Sequence, residues 1–150
     1  MFFSTLSISA TGLSAQRTRM DIHAQNLANV DTTRTPEGGP YRRRAVIFEE
    51  RSPNPTGNTF ADMIRNAVLQ QSGGGGVRVH SIMEDESDGP MVYEPGHPDA
   101  NADGYVMRPN VNVIAEMVNM ISASRSYEAN MTAWSVTQSM MQRTLEISGR

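Results

Sequence analysis

Cysteine is absent from the 150-residue chain, which excludes thiol nucleophiles, disulfides and thiolate metal ligands. Lysine is absent too. All 13 basic residues are arginine, so every cation is a planar fork suited to two-pronged carboxylate contacts. Aromatic residues supply only 6% of the chain and hydrophobic residues in all 38%, enough for a modest core. The formal net charge is -3, and no basic face stands out beyond Arg42, Arg43 and Arg44, so nucleic acid is not an expected partner. That arginine run reads as a solvated or partner-facing patch. No stretch approaches the ~18 apolar residues of a transmembrane helix. The opening MFFSTLSISATGLSAQRTR lacks the positive start and undiluted apolar stretch of a cleaved secretion signal. A chain that is cytosolic, or exported by a route that cleaves nothing, is therefore expected.

What the sequence does have is helical patterning at both ends. Leu6, Leu13, Met20 and Leu27 recur at heptad spacing and, with Ala10 and Ala24, form one stripe. Ile8, Ala15 and Ile22 form a second stripe on nearly the opposite side, so this helix calls for neighbours on two faces. From Val111 to Ile147 a stronger pattern follows. Val113, Met120, Tyr127, Trp134 and Met141 form one row of a seam, and Met117, Ser124, Met131, Gln138 and Leu145 form the other. The seam runs for about five heptads, a coiled-coil-like length, and its helix is expected to reach roughly 55 Å. Ile114, Val118 and Ile121 add a further apolar face. Pro109 precedes the helix, Asn110 or Asn112 suits its cap, and Gly149 stands just past its end.

The middle is irregular. RAVIFEE (Arg44–Glu50) reads as a strand, residues 52–58 as a Pro, Asn and Gly turn, and residues 60–70 as a short helix before the four glycines Gly73 to Gly76. Val77 to Ile82 alternates like a half-buried strand, and Pro90 to Tyr93 suits another. The fold class is thus mainly α, with long N- and C-terminal helices paired as a coiled-coil-like unit around a small irregular β module. The expected divisions are 1–30, 31–110 and 111–150.

Catalytic constellations are missing from the pattern. His23, His80 and His97 share no ligand spacing, and His23 is read as interfacial or exposed. No G-x-S-x-G elbow occurs, and the glycine run lacks the lysine of a phosphate loop. Asp99-Ala-Asn-Ala-Asp-Gly104 matches the start of a calcium loop, but its last ligand position holds Asn110 where a bidentate Glu is needed, so it reads as a polar turn. No cofactor, metal or catalytic residue is expected.

Several stretches carry a family resemblance. NLANVDTT (Asn26–Thr33) is similar to the Asn-x-Ala-Asn-x-x-Thr signature of the axial proteins of the bacterial flagellum. RTPEGGPYRRR (Arg34–Arg44), YEPGHPDANADGYVMRPNVN (Tyr93–Asn112) and EMVNMISASRSYEANMTA (Glu116–Ala133) resemble the C-type proximal rod family, FlgC. Residues 53–76 are the least characteristic. The resemblance implies a non-enzymatic subunit whose terminal helices stack with those of neighbours into the drive shaft that transmits torque. It implies that the inner helix ends at Ala28-Asn29, with Asn29 and Asp31 terminating it, and that Pro36 to Pro40 redirect the chain. Arg42 to Arg44 would then pair with acids of adjacent copies. The expected partner-binding set is Leu6, Leu13, Met20, Leu27, Asn29, Arg42, Arg43, Met117, Met120, Tyr127, Met131, Trp134, Met141 and Leu145. Implied partners are copies of the chain, other proximal and distal rod subunits, the adapter to the inner-membrane ring and the type III export apparatus. The implied location is the rod within the periplasm, reached without a cleaved signal and without membrane insertion. The alternatives are another rod or hook component or, in a different class, a calcium-binding or hydrolytic module.

Overall fold

The computed structural model describes residues 2–51 and 75–148. The short helix expected over 60–70, the turn at 52–58, Gly73, Gly74 and Gly149 lie outside the described residues. Helix α1 spans Phe2–Ala28 and helix α2 spans Val113–Ser148, 36 residues that cover about 54 Å at the usual rise. Between them come β1 (Arg44–Glu50), β2 (Val77–Glu84), β3 (Met91–Tyr93) and β4 (Tyr105–Met107), paired as β1 with β2 and β3 with β4. The mainly α architecture with a small β module is the expected one. Strand β4 was not foreseen: it follows the Asp99–Gly104 turn directly and is defined by its pairing with β3.

The junction after α1 follows from its side chains. Asn29 donates its Nδ2 amide back to the Gln25 carbonyl at 2.9 Å, and Thr32 N–H donates to Asn29 O at 3.1 Å, so Asn29 ends the helix as expected. Gly38 and Gly39 take φ of +94° and +78°, a conformation glycine adopts without steric cost. This lets Thr35 N–H reach Gly39 O at 2.9 Å and Tyr41 N–H reach Thr32 O at 3.0 Å. The proline-glycine segment therefore doubles back and returns Tyr41 to the end of its own helix.

Helix α2 begins at Asn112, whose Oδ1 accepts from Ala115 N–H at 3.1 Å. Asn110, the other candidate cap, is used elsewhere. Its Oδ1 accepts from Arg43 N–H at 2.7 Å, and its Nδ2 donates to the carbonyls of Asp85 and Ser87 at 3.0 Å each.

The chain divides into two compact units. One comprises Thr18–Ile47 and Ser81–Ala123; the other comprises Met1–Arg17, Phe48–His80 and Ser124–Arg150. In the second unit α1 and α2 approach closely at Gly12, where an added Cβ would lie 2.8 Å from Asn130 Oδ1. Thr11 Oγ1 donates to Ile8 O at 2.7 Å and accepts from Val77 N–H at 3.3 Å, which ties the start of β2 to the helix. Further along, Glu49 receives Arg78 and His80, both at 2.9 Å. Arg78 first, then His80, hold its carboxyl below the ordinary range.

The buried positions of α1 are mostly small or polar: Ser9, Gly12, Ala15, Ile22, His23 and Asn26. On α2 they are Glu116 and Ala123. Small residues let helix backbones come close, which pushes the bulky rows to the flanks. Hence Ala15 and Ile22 of the second α1 stripe are buried, while Leu6, Leu13, Met20 and Leu27 are half-buried and Ala10 and Ala24 exposed.

Candidate functional site

The first unit is organised around a carboxylate with no exposed surface. Glu116 lies one turn into α2, where the helix N-terminus favours negative charge. Its Oε2 accepts from His23 Nδ1 at 2.6 Å and from Asn26 Nδ2 at 2.9 Å, and its Oε1 accepts from Arg43 Nε at 2.7 Å. An ionised carboxylate only accepts, so the His23 proton on Nδ1 is fixed by this contact. The reading of His23 as interfacial or exposed is corrected: 6% of its surface is accessible, and its ring is turned onto Glu116. A buried charge must find partners inside the fold, and here one comes from α1, one from the same helix a turn later and one from the arginine run.

Asn26 is the hub. Its Nδ2 donates to Arg44 O at 2.8 Å as well as to Glu116, and its Oδ1 accepts from Arg44 N–H and Tyr41 O–H, both at 2.9 Å. All four of the amide's hydrogen-bonding positions are filled, and reversing the amide would set donors against donors. Burial raises the Tyr41 pKa, and Glu84 and Glu116 add to that against the pull of Arg44, so the phenol stays a donor. The arginine run is thus engaged with acceptors of its own chain. Arg43 meets Glu116, and Arg44 meets Glu84 at 2.6 Å with its guanidinium 5.9 Å from the centre of the Tyr41 ring. Arg42 donates to Glu86 O at 2.7 Å and lies 3.8 Å from Asp88.

Burial alone would raise the Glu116 pKa. The hydrogen bonds from Asn26, His23 and Arg43, with the Arg43 charge, outweigh it and hold the carboxyl below its ordinary value. The unfolded chain therefore binds that proton more readily. The stabilisation is complete above the unfolded carboxyl value of about 4.3 and disappears as pH falls through the lowered folded value. Thermal melts by circular dichroism are expected to show a steady midpoint from neutral pH to about pH 5 and a fall below it. Glu116→Gln is expected to start lower and fall less steeply. Parallel pH profiles for the two proteins would mean that Glu116 is not responsible.

The loop between β3 and β4 is a turn, as read from its sequence. Asn101 Oδ1 accepts from Asp103 N–H at 3.0 Å and Tyr105 N–H at 2.9 Å, while Asp99 Oδ2 accepts from Thr33 Oγ1 at 2.9 Å. These oxygens face the chain's own donors. Among the described residues no group of three or more His, Asp or Glu side chains is placed to hold a metal ion, and no helix is long and apolar enough to cross a membrane.

The residues singled out from periodicity fall into two groups. Met120, Tyr127, Trp134 and Met141 are half-buried, beside the closer line of Glu116, Ala123 and Asn130. Met117, Met131 and Leu145 are exposed, as are Val113, Ile114, Val118 and Ile121. Sequence reasoning missed Asn26, Tyr41, Asn110 and Glu116. A signal was present: Glu116 is the lone charge in VNVIAEMVNMIS, and a carboxylate set among apolar neighbours calls for a cation such as the arginine run supplies.

Residues 6–34 match the family described as flagella basal body rod protein, and residues 102–147 match flagellar basal body rod FlgEFG protein C-terminal. A flagellar basal-body rod protein FlgC of Borreliella burgdorferi is 47% identical over 97% of this chain and 96% of its own length. One from Bacillus subtilis is 46% identical over 97% of each chain. One from Salmonella typhimurium is 41% identical over 93% of this chain and 92% of its own.

Proposed function

We infer how this chain works from the family to which it belongs: the flagellar basal-body rod proteins FlgC, structural subunits of the rod. Its work is mechanical, not catalytic. The helices pack with those of neighbouring subunits, and heterologous contacts between them build an open helical shaft that carries torque. The neighbours are copies of the chain and the other proximal and distal rod subunits, with the adapter to the inner-membrane ring at the base. The chain reaches the periplasm through the flagellar type III apparatus. Leu6, Leu13, Met20, Leu27, Tyr127, Trp134 and Met141, half-buried within one chain, are completed by neighbours.

The observation that carries this reading is the apolar surface left uncovered on α2, where Ile114 is 75% exposed. A helix with apolar residues on more than one side needs more than its own chain to cover them. A motile strain deprived of this chain is expected to lose swimming and to lack complete rods by electron microscopy, and to recover both when the chain is returned. Complete rods without it would overturn the reading.

A further inference from the structure

The sequence contains the pair Asp-Gly twice, at Asp88-Gly89 and Asp103-Gly104, and Asn-Gly nowhere. Glycine has no Cβ to shield its backbone nitrogen from the carboxyl of the residue before it. That nitrogen can close a five-membered imide on the aspartate when the peptide between them is free to turn. The structure holds the two pairs differently. At the second pair the nitrogen is tied down. Gly104 N–H donates to Asn101 O at 3.0 Å, Asp103 N–H donates to Asn101 Oδ1 at 3.0 Å, and Gly104 O accepts from Glu94 N–H at 2.9 Å. At the first pair, among the described residues, the Asp88 N–H, the Asp88 carbonyl and the Gly89 N–H have no hydrogen-bond partner. The Asp88 side chain is 73% exposed, with Arg42 standing 3.8 Å off. This free peptide lies between two held ones: Ser87 O accepts from Asn110 Nδ2 at 3.0 Å, and Pro90 O accepts from Arg108 N–H at 2.9 Å.

We propose that Asp88-Gly89 is a site of spontaneous isoaspartate formation, and that the change there displaces residues 108–110. Gly89 N attacks Asp88 Cγ. The N–Cγ bond forms as the Cγ–OH bond breaks, and the hydroxyl leaves as water with the amide proton. A second water then opens the imide. Attack at Cγ restores aspartate. Attack at the former main-chain carbonyl breaks its bond to Gly89 N, so the chain now runs through Cβ and Cγ and the old carbonyl becomes a free carboxylate. Nothing is oxidised or reduced, and water is the only co-reactant. The main chain is longer by one carbon where it has no room. A Cβ on Gly89 would already fall on the Arg108 carbonyl oxygen and lie 2.9 Å from Pro109 C. Pro109 leads to Asn110, which holds Arg43 N–H at 2.7 Å. At Asp103 the same reaction requires its turn to open first, which slows it.

The test ages the purified full-length chain in warm neutral buffer, beside a second portion in urea. Cleavage after glutamate places Asp88 in peptide 87–94 and Asp103 in peptide 95–116, so electron-transfer fragmentation counts each alone. In urea both peptides should accumulate isoaspartate together. In buffer peptide 87–94 should keep pace with the urea sample while peptide 95–116 falls behind by about tenfold, the factor that a broken hydrogen bond or two amounts to. Isoaspartyl methyltransferase with S-adenosylmethionine marks the same product in the intact chain. That signal should fall to the slow background of Asp103 in Asp88→Ser and persist in Asp103→Ser. The isoaspartate form, separated by hydrophobic-interaction chromatography, should melt about 2–12 °C below the fresh chain. Repeated methyl transfer, which returns isoaspartate to aspartate, should bring the midpoint back. Equal rates at the two positions in buffer, isoaspartate confined to peptide 95–116, or none in peptide 87–94 of the folded chain overturns the site. An isoaspartate form that melts with the fresh chain overturns the displacement.

Discussion

Asn26→Asp is expected to destabilise the chain by roughly 3–5 kcal/mol at neutral pH, as breaking a buried charge network does. For a chain of this length the melting midpoint should fall by about 6–20 °C. The substitution changes one atom. It turns the Nδ2 donor, which serves Arg44 O at 2.8 Å and Glu116 at 2.9 Å, into an oxygen that repels both. Two carboxylates so close cannot both stay ionised, so one takes up a proton and its pKa rises. The pH dependence then changes sign. With a raised folded pKa the variant gains stability as pH drops from 7 toward 5, whereas the parent chain is steady there and loses stability only in stronger acid. Asn26→Ala, which leaves Glu116 and the Arg44 peptide short of partners but adds no charge, should be destabilised without that acid recovery. Melts of the three proteins at pH 7 and pH 5 decide the matter. An Asn26→Asp midpoint within about 2 °C of the parent at both values, under 1 kcal/mol on this scale, would mean that the amide does not join α1 to α2.

The helices, β1 and β2 were legible in the sequence because each is long enough, or regular enough, to show its period, whereas β3, no longer than β4, was read only as a stretch that suits a strand. Arg44–Glu50 was bounded correctly, and α2 starts within two residues of the position read from the pattern. Strand β4 escaped because its hydrogen bonds are set by pairing with β3, not by its own three residues. The buried line of the helices escaped for a different reason. Periodicity caught Ala15 and Ile22 in the second α1 stripe, but it finds chiefly large apolar residues, and Ser9, Gly12 and Ala123, which complete the buried line, are small. The polar hub was hidden by separation in the chain, since Asn26, Arg43 and Glu116 are brought together only when the glycine turn reverses the backbone. Asn29 was read correctly because its partners are local. Asn26, in the same motif, was passed over because its partners are distant.

Gly89→Ala is expected to be nearly as damaging as Asn26→Asp, though Gly89 touches none of the hub residues. A Cβ at position 89 would fall onto the carbonyl oxygen of Arg108 and lie 2.9 Å from Pro109 C, so the obstacle is backbone. The Arg108–Pro109 segment cannot yield cheaply. Arg108 N–H is bonded to Pro90 O at 2.9 Å, its guanidinium spans Asp31 and Glu94, and Pro109 is buried. The next residue, Asn110, holds Arg43 N–H at 2.7 Å, and Arg43 in turn holds Glu116. Moving the segment therefore loosens the carboxylate's cation and the start of α2 together. Overpacking a rigid site costs about 1–3 kcal/mol and occasionally more; with this transmitted loss the figure should sit at the top of that range or above it. Gly96→Ala is the control, because a Cβ there meets nothing within 4 Å. It should change stability by less than about 0.5 kcal/mol, as surface substitutions do. Urea unfolding of both variants, with hydrogen exchange read on the first turns of α2, separates a local bump from the coupled loss. If Gly89→Ala unfolds at the parent's midpoint, or is destabilised while α2 keeps its protection, then the loop before β3 does not set the position of Arg43.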